Sequence, residues 1–489
     1  MPRINVDMPP GFFTRATARQ SEGQWIGGDL VRFRSGDIRP VGGWVRWTAG
    51  TVPGKAREII GWTDDSGIAW VGIGSNSHLY VATRDGTLSD VTPAGLSVGG
   101  ERASREGGYG EGAYGEGTYG TPREVASVQA ADRWTFGLWG QNLVGVIPSD
   151  GRIMEWVPTP TPAPAAPIQN APTARAVVVT GERILMAIGA DSDPRLLKWC
   201  DVEDNTDWTP TATNRAGDIR VPTRGQLVAG IATTSGVLVF SDTDVWLAEY
   251  LGRSGYAPRK MADGAGLASS GAAINVDSDT YWFGPDGFWR YSGDVRPLDC
   301  PVYAHVYGDL DTAQVSLVSG YHNTLHGEVT WLYPRASSGA QECDAYVTYS
   351  YREGHWTHGT LDRIGAADVA DLGVPLMADP SGVLYKHETG RQHDTRQPYL
   401  EGGPLIMGER VGQLTGFEPD SRALDDATLT ITRRFRAMGE EYVTGPVTIR
   451  PRTDLRCSAR EFDMRLDFAA GRDWRFGRPA FEFRLRGND

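Results

Sequence analysis

Lysine is nearly absent from this sequence of 489 residues, which has only four lysines among its 48 cationic residues. Its four cysteines, Cys200, Cys300, Cys343 and Cys457, form no CxxC pair and predict buried thiols, not a zinc site or a dense disulfide framework. No run of 18 apolar residues occurs, and no basic stretch followed by an apolar one opens the chain. We therefore expect neither membrane anchoring nor export by a signal peptide. No helical period extends over several turns, which excludes a helical solenoid.

The patterns that carry catalytic or metal chemistry are missing as well. Neither a Gly-x-Ser-x-Gly elbow nor a phosphate-binding glycine motif occurs. The Asp-box spacing of sialidase-type blades does not repeat, since "SDTDVW" and "GPDGFW" lack it. The pairs His322/His326 and His355/His358 have no third ligand nearby. We expect no catalytic residue, no metal site and no cofactor.

Acidic residues outnumber basic ones in the long middle part of the chain. Residues 51–399 carry 26 basic and 42 acidic groups, whereas residues 400–489 carry 15 of each. Because proteins hold nucleic acid through basic groups on its phosphates, this balance disfavours ordinary DNA binding. An acidic surface would still suit a channel that nucleic acid slides past, and the alternative is a solvated surface that keeps the protein soluble.

Short strands and turns are abundant, with 62 glycines, 30 prolines and 34 Trp and Tyr residues. Apolar-aromatic runs followed by polar turns recur, and the intervals after the second of them are 43, 47 and 43 residues. One aromatic from each run marks the repeat: Tyr80, Trp156, Trp199, Trp246, Trp289 and Tyr385.

Each repeat contains four strand-like runs, as in "REIIGWTDD", "GIAWVGIGS", "HLYVATRDG" and "LSDVTP". The Asp-Gly pairs at 85–86, 150–151 and 286–287 are interpreted as hairpin turns. Four short antiparallel strands in each 42 to 47 residues predict an all-β fold, a six- or seven-bladed β-propeller over residues 51–399.

The flanks differ from the repeats. Residues 1–50 are expected to be either ring-closing strands or an arm on a neighbouring subunit, and residues 400–489 to form a C-terminal antiparallel β domain. The Pro-rich stretch 156–172 is expected to be an extended connector between two units, and residues 95–124 a Tyr/Gly-rich insertion.

Several segments carry a resemblance to a known family. "MPPGFFTRATARQSEGQWIGGDLVRFRSGDIRPVGGWVRW" (8–47) resembles the opening of virion structural proteins of tailed bacteriophages, and so do 236–252, 279–302 and the ending "DWRFGRPAFEFRLRG". "YGEGTYGTPRE" is similar to Tyr-Gly loops of that group.

The resemblance implies a tail nozzle or head-closure protein, a β-propeller that forms a homo-oligomeric ring, commonly a hexamer, around the DNA exit channel. Its implied partners are the portal or adaptor and the tail fibre or needle proteins, and DNA passes without sequence-specific binding. It would be made in the host cytoplasm and reside in the virion tail of a short-tailed or longer-tailed phage. The alternatives are a carbohydrate-binding or glycan-cleaving propeller at the tail tip or host surface, and a bacterial scaffold propeller.

Two sets of residues are candidates for interaction. Tyr109, Tyr114 and Tyr119 would supply rigid contact area on a glycine-rich docking loop, the alternative being a disordered insertion. In the N-terminal segment the candidates are Trp25, Arg32 and Arg34. Arginines of the last domain could pair across a subunit interface: Arg433, Arg434, Arg436, Arg450 and Arg452.

Overall fold

A computed structural model describes residues 3–14, 18–106, 127–408, 410–436 and 439–485. The chain is all-β, with 47% strand and 5% helix. Five strands come from the N-terminal segment (residues 3–46): β1 (Arg3–Asn5), β2 (Trp25–Asp29), β3 (Val31–Arg34), β4 (Asp37–Pro40) and β5 (Val45–Arg46).

Seven four-stranded antiparallel sheets, the blades, follow in succession. Blade 1 is β6 (Ala56–Thr63), β7 (Ala69–Ser75), β8 (Leu79–Thr83) and β9 (Leu88–Asp90). A two-stranded hairpin, β10 (Ser104–Glu106) and β11 (Ser127–Gln129), precedes blade 2. Blade 2 is β12 (Thr135–Trp139), β13 (Asn142–Val146), β14 (Met154–Trp156) and β15 (Ala166–Pro167). Blade 3 is β16 (Ala176–Val179), β17 (Leu185–Ile188), β18 (Leu196–Trp199) and β19 (Gly217–Arg220).

The remaining blades have the same plan. Blade 4 is β20 (Leu227–Thr233), β21 (Gly236–Ser241), β22 (Asp244–Tyr250) and β23 (Tyr256–Asp263). Blade 5 is β24 (Ala273–Val276), β25 (Asp279–Phe283), β26 (Phe288–Tyr291) and β27 (Val295–Pro297). Blade 6 is β28 (Ser319–Asn323), β29 (Glu328–Tyr333), β30 (Ala345–Ser350) and β31 (His355–Thr360). Blade 7 is β32 (Gly365–Val369), β33 (Val374–Ala378) and β34 (Leu384–Lys386), with β5 as its outermost strand.

The blades form a closed ring. The first strand of each blade contacts the first strand of the next, and β32 of blade 7 lies beside β6 of blade 1. The outermost strand of blade 7 comes from the other end of the chain, where Val45 pairs with Lys386 and Arg46 with Tyr385. This exchange ties the two ends of the ring together.

The propeller prediction is confirmed, and the marker aromatics explain why the repeat was visible. All six lie on the third strand of their blades: Tyr80, Trp156, Trp199, Trp246, Trp289 and Tyr385. Trp156, Trp199 and Trp246 are buried and the others partly buried, since this strand lies inside its sheet. Second strands are more buried still, as in β29, where all six side chains are buried. The long interval between the last two markers contains blade 6.

The Pro-rich stretch lies elsewhere than expected. It does not connect two blades but joins the third and fourth strands of blade 2, and it supplies β15 itself. Proline is tolerated there because an outermost strand needs fewer ladder donors.

The C-terminal β domain contains β35 (Tyr399–Ile406), β36 (Gly412–Glu418), β37 (Ser421–Arg422), β38 (Thr428–Arg434), β39 (Tyr442–Thr448), β40 (Thr453–Ala459), β41 (Glu461–Asp467), β42 (Arg475–Phe476) and β43 (Ala480–Leu485). Its sheets have the orders β2-β35-β41-β38-β39, β1-β43-β36-β40 and β3-β4-β42-β37. Four N-terminal strands are therefore part of this domain.

Helices are short. One α-helix, α1 (Tyr303–Asp309), and a 3₁₀ helix (Thr312–Leu317) connect blades 5 and 6, and further 3₁₀ turns cover Ala18–Ser21, Ala190–Ser192, Gly252–Ser254 and Ala370–Leu372. Within the described ranges, no helix has the length and apolar character needed to cross a membrane.

Candidate functional site

The centre of the propeller is a narrow polar channel. A cavity of about 170 Å³ is lined by residues of all seven first strands, among them Glu58, Thr135, Val177 and Gly230. Because strands alternate in direction, the connections between blades all lie at one face, here called the connecting face.

Arg133 lies at the connecting-face end of the channel. Its side chain is buried, and its Nε lies 2.6 Å from Glu58 Oε2. Its Nη2 donates to the carbonyl of Arg57 at 2.6 Å and to Ser319 Oγ at 2.9 Å. Burial raises the pKa of Glu58, and the charge of Arg133 opposes that rise. One guanidinium therefore binds the first strands of blades 1 and 6 together.

A second buried arginine lies at the same end. Arg57 Nη2 lies 2.9 Å from both carboxylate oxygens of Glu342, in the turn between β29 and β30. Arg57 also donates to the carbonyls of Glu101 and Asp132, in the connection between blades 1 and 2. The two guanidinium groups are therefore engaged by partners within the chain, and their buried side chains lie at the connecting-face end of the propeller centre.

The base of the Tyr/Gly insertion is fastened across the connecting face. Strands β10 and β11 pair, and the backbone of Ala103 exchanges two hydrogen bonds of 3.0 Å with the side chain of Gln314. Arg102 Nε donates to the carbonyl of Gln341 at 3.0 Å. The chain therefore leaves and re-enters the connecting face at a defined place. The three candidate tyrosines lie outside the described residues: Tyr109, Tyr114 and Tyr119.

Trp25 lies in the joint between the C-terminal β domain and the propeller. Only 3% of it is exposed, and its ring lies 6.5 Å from that of Phe33 and 6.3 Å from that of Phe476. Its partners are therefore residues of its own chain.

Arg32 forms the most buried ion pairs of the joint. Its Nε and Nη2 lie 2.6 and 2.8 Å from the carboxylate of Glu328, and its Nη2 and Nη1 lie 2.6 and 3.2 Å from that of Glu388. Burial alone would raise the pKa of Glu388, but the charge and hydrogen bonds of Arg32, together with His326, outweigh burial and hold the pKa well below the usual range. Because Glu328 belongs to blade 6 and Glu388 follows blade 7, this cluster fastens β3 to both blades.

Arg34 extends the same cluster to the surface. Its Nη1 lies 2.7 Å from Nδ1 of His326, whose Nε2 is 3.3 Å from Glu388. The structure thus brings Trp25, Arg32 and Arg34 together in one joint.

The motif glycines of the N-terminal segment are packing residues. At Gly11, where φ is +95°, a side chain would place Cβ 2.8 Å from the Cβ of His355. At Gly42, Cβ would come within 2.5 Å of the Cα of Glu388. These positions accept only glycine because the segment runs directly against the propeller.

Two of the candidate arginines of the last domain, Arg434 and Arg452, form ion pairs within the chain. Arg434 lies 2.6 Å from Glu441, and Arg452 lies 2.8 Å from Glu482. Arg436 is exposed. The first two are therefore already engaged by carboxylates of the same domain.

Sequence reasoning missed a recurring use of aspartate. In blades 1 and 7 a carboxylate oxygen accepts from the backbone N–H groups two and four residues further on. The other oxygen accepts from an aromatic side chain six residues on: Asp64 from Trp70 at 2.9 Å, Asp379 from Tyr385 at 3.3 Å. The hydrogen bond from Trp70 is the main cause of the lowered pKa of Asp64. The shared pattern Asp-x-Ser-Gly-x-x-aromatic in "DDSGIAW" and "DPSGVLY" was the available signal.

The four cysteines and four of the eight histidines are buried, the latter being His355, His358, His387 and His393. In the described ranges no three His, Cys, Asp or Glu side chains are grouped closely enough to hold a metal ion. The four cysteines are buried, and burial raises the pKa of Cys200 to about 12, so its thiol is protonated at neutral pH.

No protein-family model and no curated protein matches this chain. Among solved structures, a streptogramin B lyase aligns with a TM-score of 0.38 and 10% identity, covering 70% of this chain and 97% of its own. YCF48 bound to a D1 peptide aligns with a TM-score of 0.38 and 12% identity, covering 71% and 97%. Hsv2 of Kluyvelomyces marxianus aligns with a TM-score of 0.31 and 6% identity, covering 55% and 74%. The first two are β-propeller proteins, and the fold of this chain rests on its own strand pairing.

Proposed function

We propose that this chain is a virion structural protein that assembles into a ring at a bacteriophage tail, around the channel through which DNA leaves. The observation that carries the proposal is the placement of the segment that resembles such proteins. Residues 8–47 contribute strands to the C-terminal sheets and to blade 7, and their glycines lie directly against the propeller. The motifs of the resemblance are thus explained as a joint that holds two β units together, as a passive structural protein requires.

The narrow propeller centre supports a channel that runs elsewhere. It holds a cavity of only about 170 Å³, and the buried ion pairs of Arg133 and Arg57 lie at its connecting-face end. DNA would therefore pass between copies of the chain, and the lumen would be formed by the outer surfaces of the propellers. The acidic excess of residues 51–399 suits such a lumen because few cationic groups would retain the phosphates.

The Tyr/Gly insertion is the proposed docking element for a neighbouring subunit, adaptor or fibre. Its base is held by the hydrogen bonds of Ala103 with Gln314 and of Arg102 with Gln341, so the insertion starts from a fixed position. Glycine lets a backbone follow a foreign surface, and tyrosine supplies contact area at low entropic cost.

Mass photometry and negative-stain imaging of the purified full chain test the ring. We expect closed rings with an opening wide enough for a DNA duplex. A chain that stays monomeric at tens of micromolar, with or without its adaptor, would contradict the proposal.

A matched variant tests the docking element separately. Replacing residues 107–126 by Asn-Gly joins β10 to β11 through a two-residue hairpin turn and keeps the fastened base. We expect the variant to fold with unchanged thermal stability and to lose ring assembly or adaptor binding. Full assembly by this variant would remove the docking role and leave the ring proposal intact.

A propeller that binds or cleaves glycans, the alternative function, requires a different site. It needs an open pocket with two carboxylates about 5–10 Å apart. The carboxylates at the propeller centre, Glu58 and Glu342, are instead paired with buried arginines. Measurable binding or cleavage of host-surface polysaccharide by the purified chain would favour that alternative.

A further inference from the structure

Histidines are concentrated where the N-terminal segment meets the propeller. The chain has eight histidines, and five of them contact this segment. The five are His326, His355, His358, His387 and His393. Because histidine changes its charge near neutral pH, a joint with this many histidines has a stability that depends on pH.

Two of them lie on β31 of blade 6. The ring of Phe12 is 5.0 Å from that of His358, and the ring of Phe33 is 5.7 Å from that of His355. Both histidines are 7% exposed. The N-terminal aromatics therefore pack on imidazoles and exclude water from them.

Two more enclose Trp44. Its indole stacks on His387 with centroids 5.2 Å apart, and His393 lies 5.2 Å away on another side. His393 Nε2 is 2.9 Å from the carbonyl oxygen of Val41. A cavity of about 50 Å³ in the joint is lined by His387 and His355 as well as by Trp44.

The geometry around these rings suits neutral imidazoles. Arg363 Nε donates to Nε2 of His387 at 3.0 Å, which requires a lone pair on that nitrogen. His358 lies face to face with His305 of α1, with ring centroids 3.7 Å apart. Two charged rings at that distance would repel each other.

Burial lowers the pKa of each of these four histidines more than charged neighbours raise it. His358 interacts with His305, which itself interacts with Asp309 and Arg335. His355 has Glu353, 4.0 Å from its Nδ1, and Glu328. The charged groups that act on His387 and His393 are Arg363, Arg396 and Glu388, and His393 also acts on His387.

Glu328 and Glu388 are already paired with Arg32, so they are not free to stabilise additional protons. The ring of His326 also lies beside Glu388, with Nε2 at 3.3 Å, and His326 is not one of the four histidines on which the proposal rests.

We propose that this joint opens in acid. At neutral pH the N-terminal segment holds the C-terminal β domain on blades 6 and 7, and the contact is released when four histidines are protonated: His355, His358, His387 and His393. This acid-released contact is called the latch below. The latch goes beyond the proposed function and does not depend on it.

The direction follows from the lowered pKa values. Burial lowers the pKa of all four histidines, most strongly for His358 and His387. A histidine whose pKa is lowered by docking stabilises the docked state above its ordinary pKa of about 6.5, and that contribution is lost as the pH falls below it. The joint should therefore open between about pH 6 and pH 4, with uptake of several protons.

Hydrogen–deuterium exchange of the full chain from pH 7.5 to pH 4, with labelling times scaled for intrinsic exchange, tests the latch. Peptides covering residues 25–46 and 399–406 should lose protection together, while peptides of blade 3 (176–220) stay protected. Retained protection down to pH 4 would overturn the proposal, and so would loss of protection in blade 3 at the same pH.

Histidine variants test the cause of opening. His387→Gln keeps an acceptor for Arg363, and His358→Phe fills an apolar site in which Nε2 has no hydrogen-bond partner. The double variant should open at a pH lower by about 0.5 or more, with about two fewer protons taken up. The control is His78→Gln in the turn after β7, which should leave the midpoint unchanged. An unchanged midpoint in the double variant would refute the role of these histidines.

Discussion

Arg32 lies at the centre of the joint, and Arg32→Met is the most informative substitution in the chain. The side chain is 10% exposed and holds two carboxylates whose side chains are 8% and 7% exposed. Methionine has a similar length and no charge, so it leaves Glu328 and Glu388 buried without their shared partner. Removing one member of a buried ion pair costs about 3–5 kcal/mol, and we expect a loss in the upper part of that range because two pairs are broken.

The loss should depend on pH. In the native chain burial would raise the pKa of Glu388, but Arg32 and His326 together lower it, so these contacts stabilise the fold above the ordinary carboxyl pKa. Without Arg32, burial would raise the pKa of Glu388, and this carboxylate would take up a proton as the pH falls. The difference between the native chain and Arg32→Met should therefore narrow as the pH falls from 7 to about 5.

Arg39→Met is the matched control. Arg39 stands directly opposite Arg32 in the β3–β4 ladder, but its pair with Asp37 is 3.2 Å long and its side chain is 30% exposed. We expect this variant to lose at most about 1 kcal/mol. Adding Glu328→Gln and Glu388→Gln to Arg32→Met should recover most of the lost stability, because the buried charges are then removed.

Urea titration followed by tryptophan fluorescence gives the free energy of unfolding for each variant. Exchange of residues 25–46 locates the effect at the joint. If Arg32→Met and Arg39→Met differ by less than about 1 kcal/mol, the cluster is not a stabilising joint and the reasoning is refuted.

Two further substitutions probe the blades. Gly382 has a φ of +81°, and a Cβ there would collide with the carbonyl oxygen of Val52. Gly382→Ala should therefore lower the melting temperature clearly more than the control Gly373→Ala, where φ is +66° and the space is open. Equal shifts of the melting temperature in calorimetry would contradict this. Burial alone would raise the pKa of Asp244, but hydrogen bonds lower it, including the one from Trp246 Nε1 at 2.9 Å. Asp244→Asn should therefore lower the free energy of unfolding by about 1–3 kcal/mol at pH 7 and by less below about pH 4. A pH-independent difference in unfolding free energy would contradict this assignment.

The repeat was predictable because each blade is a local structure. Strands that pair within about 40 residues give a period in the sequence, and the third strand, which lies inside its sheet, selects an aromatic such as Trp199 or Trp246. The Asp-Gly turns at 85–86, 150–151 and 286–287 were predictable for the same reason, and all three lie between paired strands. The turn residues of one hairpin decide its geometry without reference to the rest of the chain.

The packing partners of the N-terminal segment could not be predicted in this way. The alternation in "LVRFR" indicates a strand with a polar face, but it does not say what covers that face. The sequence therefore makes Arg32 and Arg34 candidates for interaction without naming their partners. The structure places them against Glu328, Glu388 and His326, which are 292 to 356 residues away.

The sequence by itself determined the propeller, because its strand period, turns and buried aromatics are set by interactions between near neighbours. It also determined the shortage of basic charge in the propeller, which is a matter of composition. Only the tertiary structure decided that the two ends of the chain share their sheets. The same holds for the two buried arginines at the propeller centre and for the histidines that pack against Trp44 and Phe12. These features join residues hundreds of positions apart, and such pairings leave no period in the sequence because the partners are chosen by the packing of whole sheets.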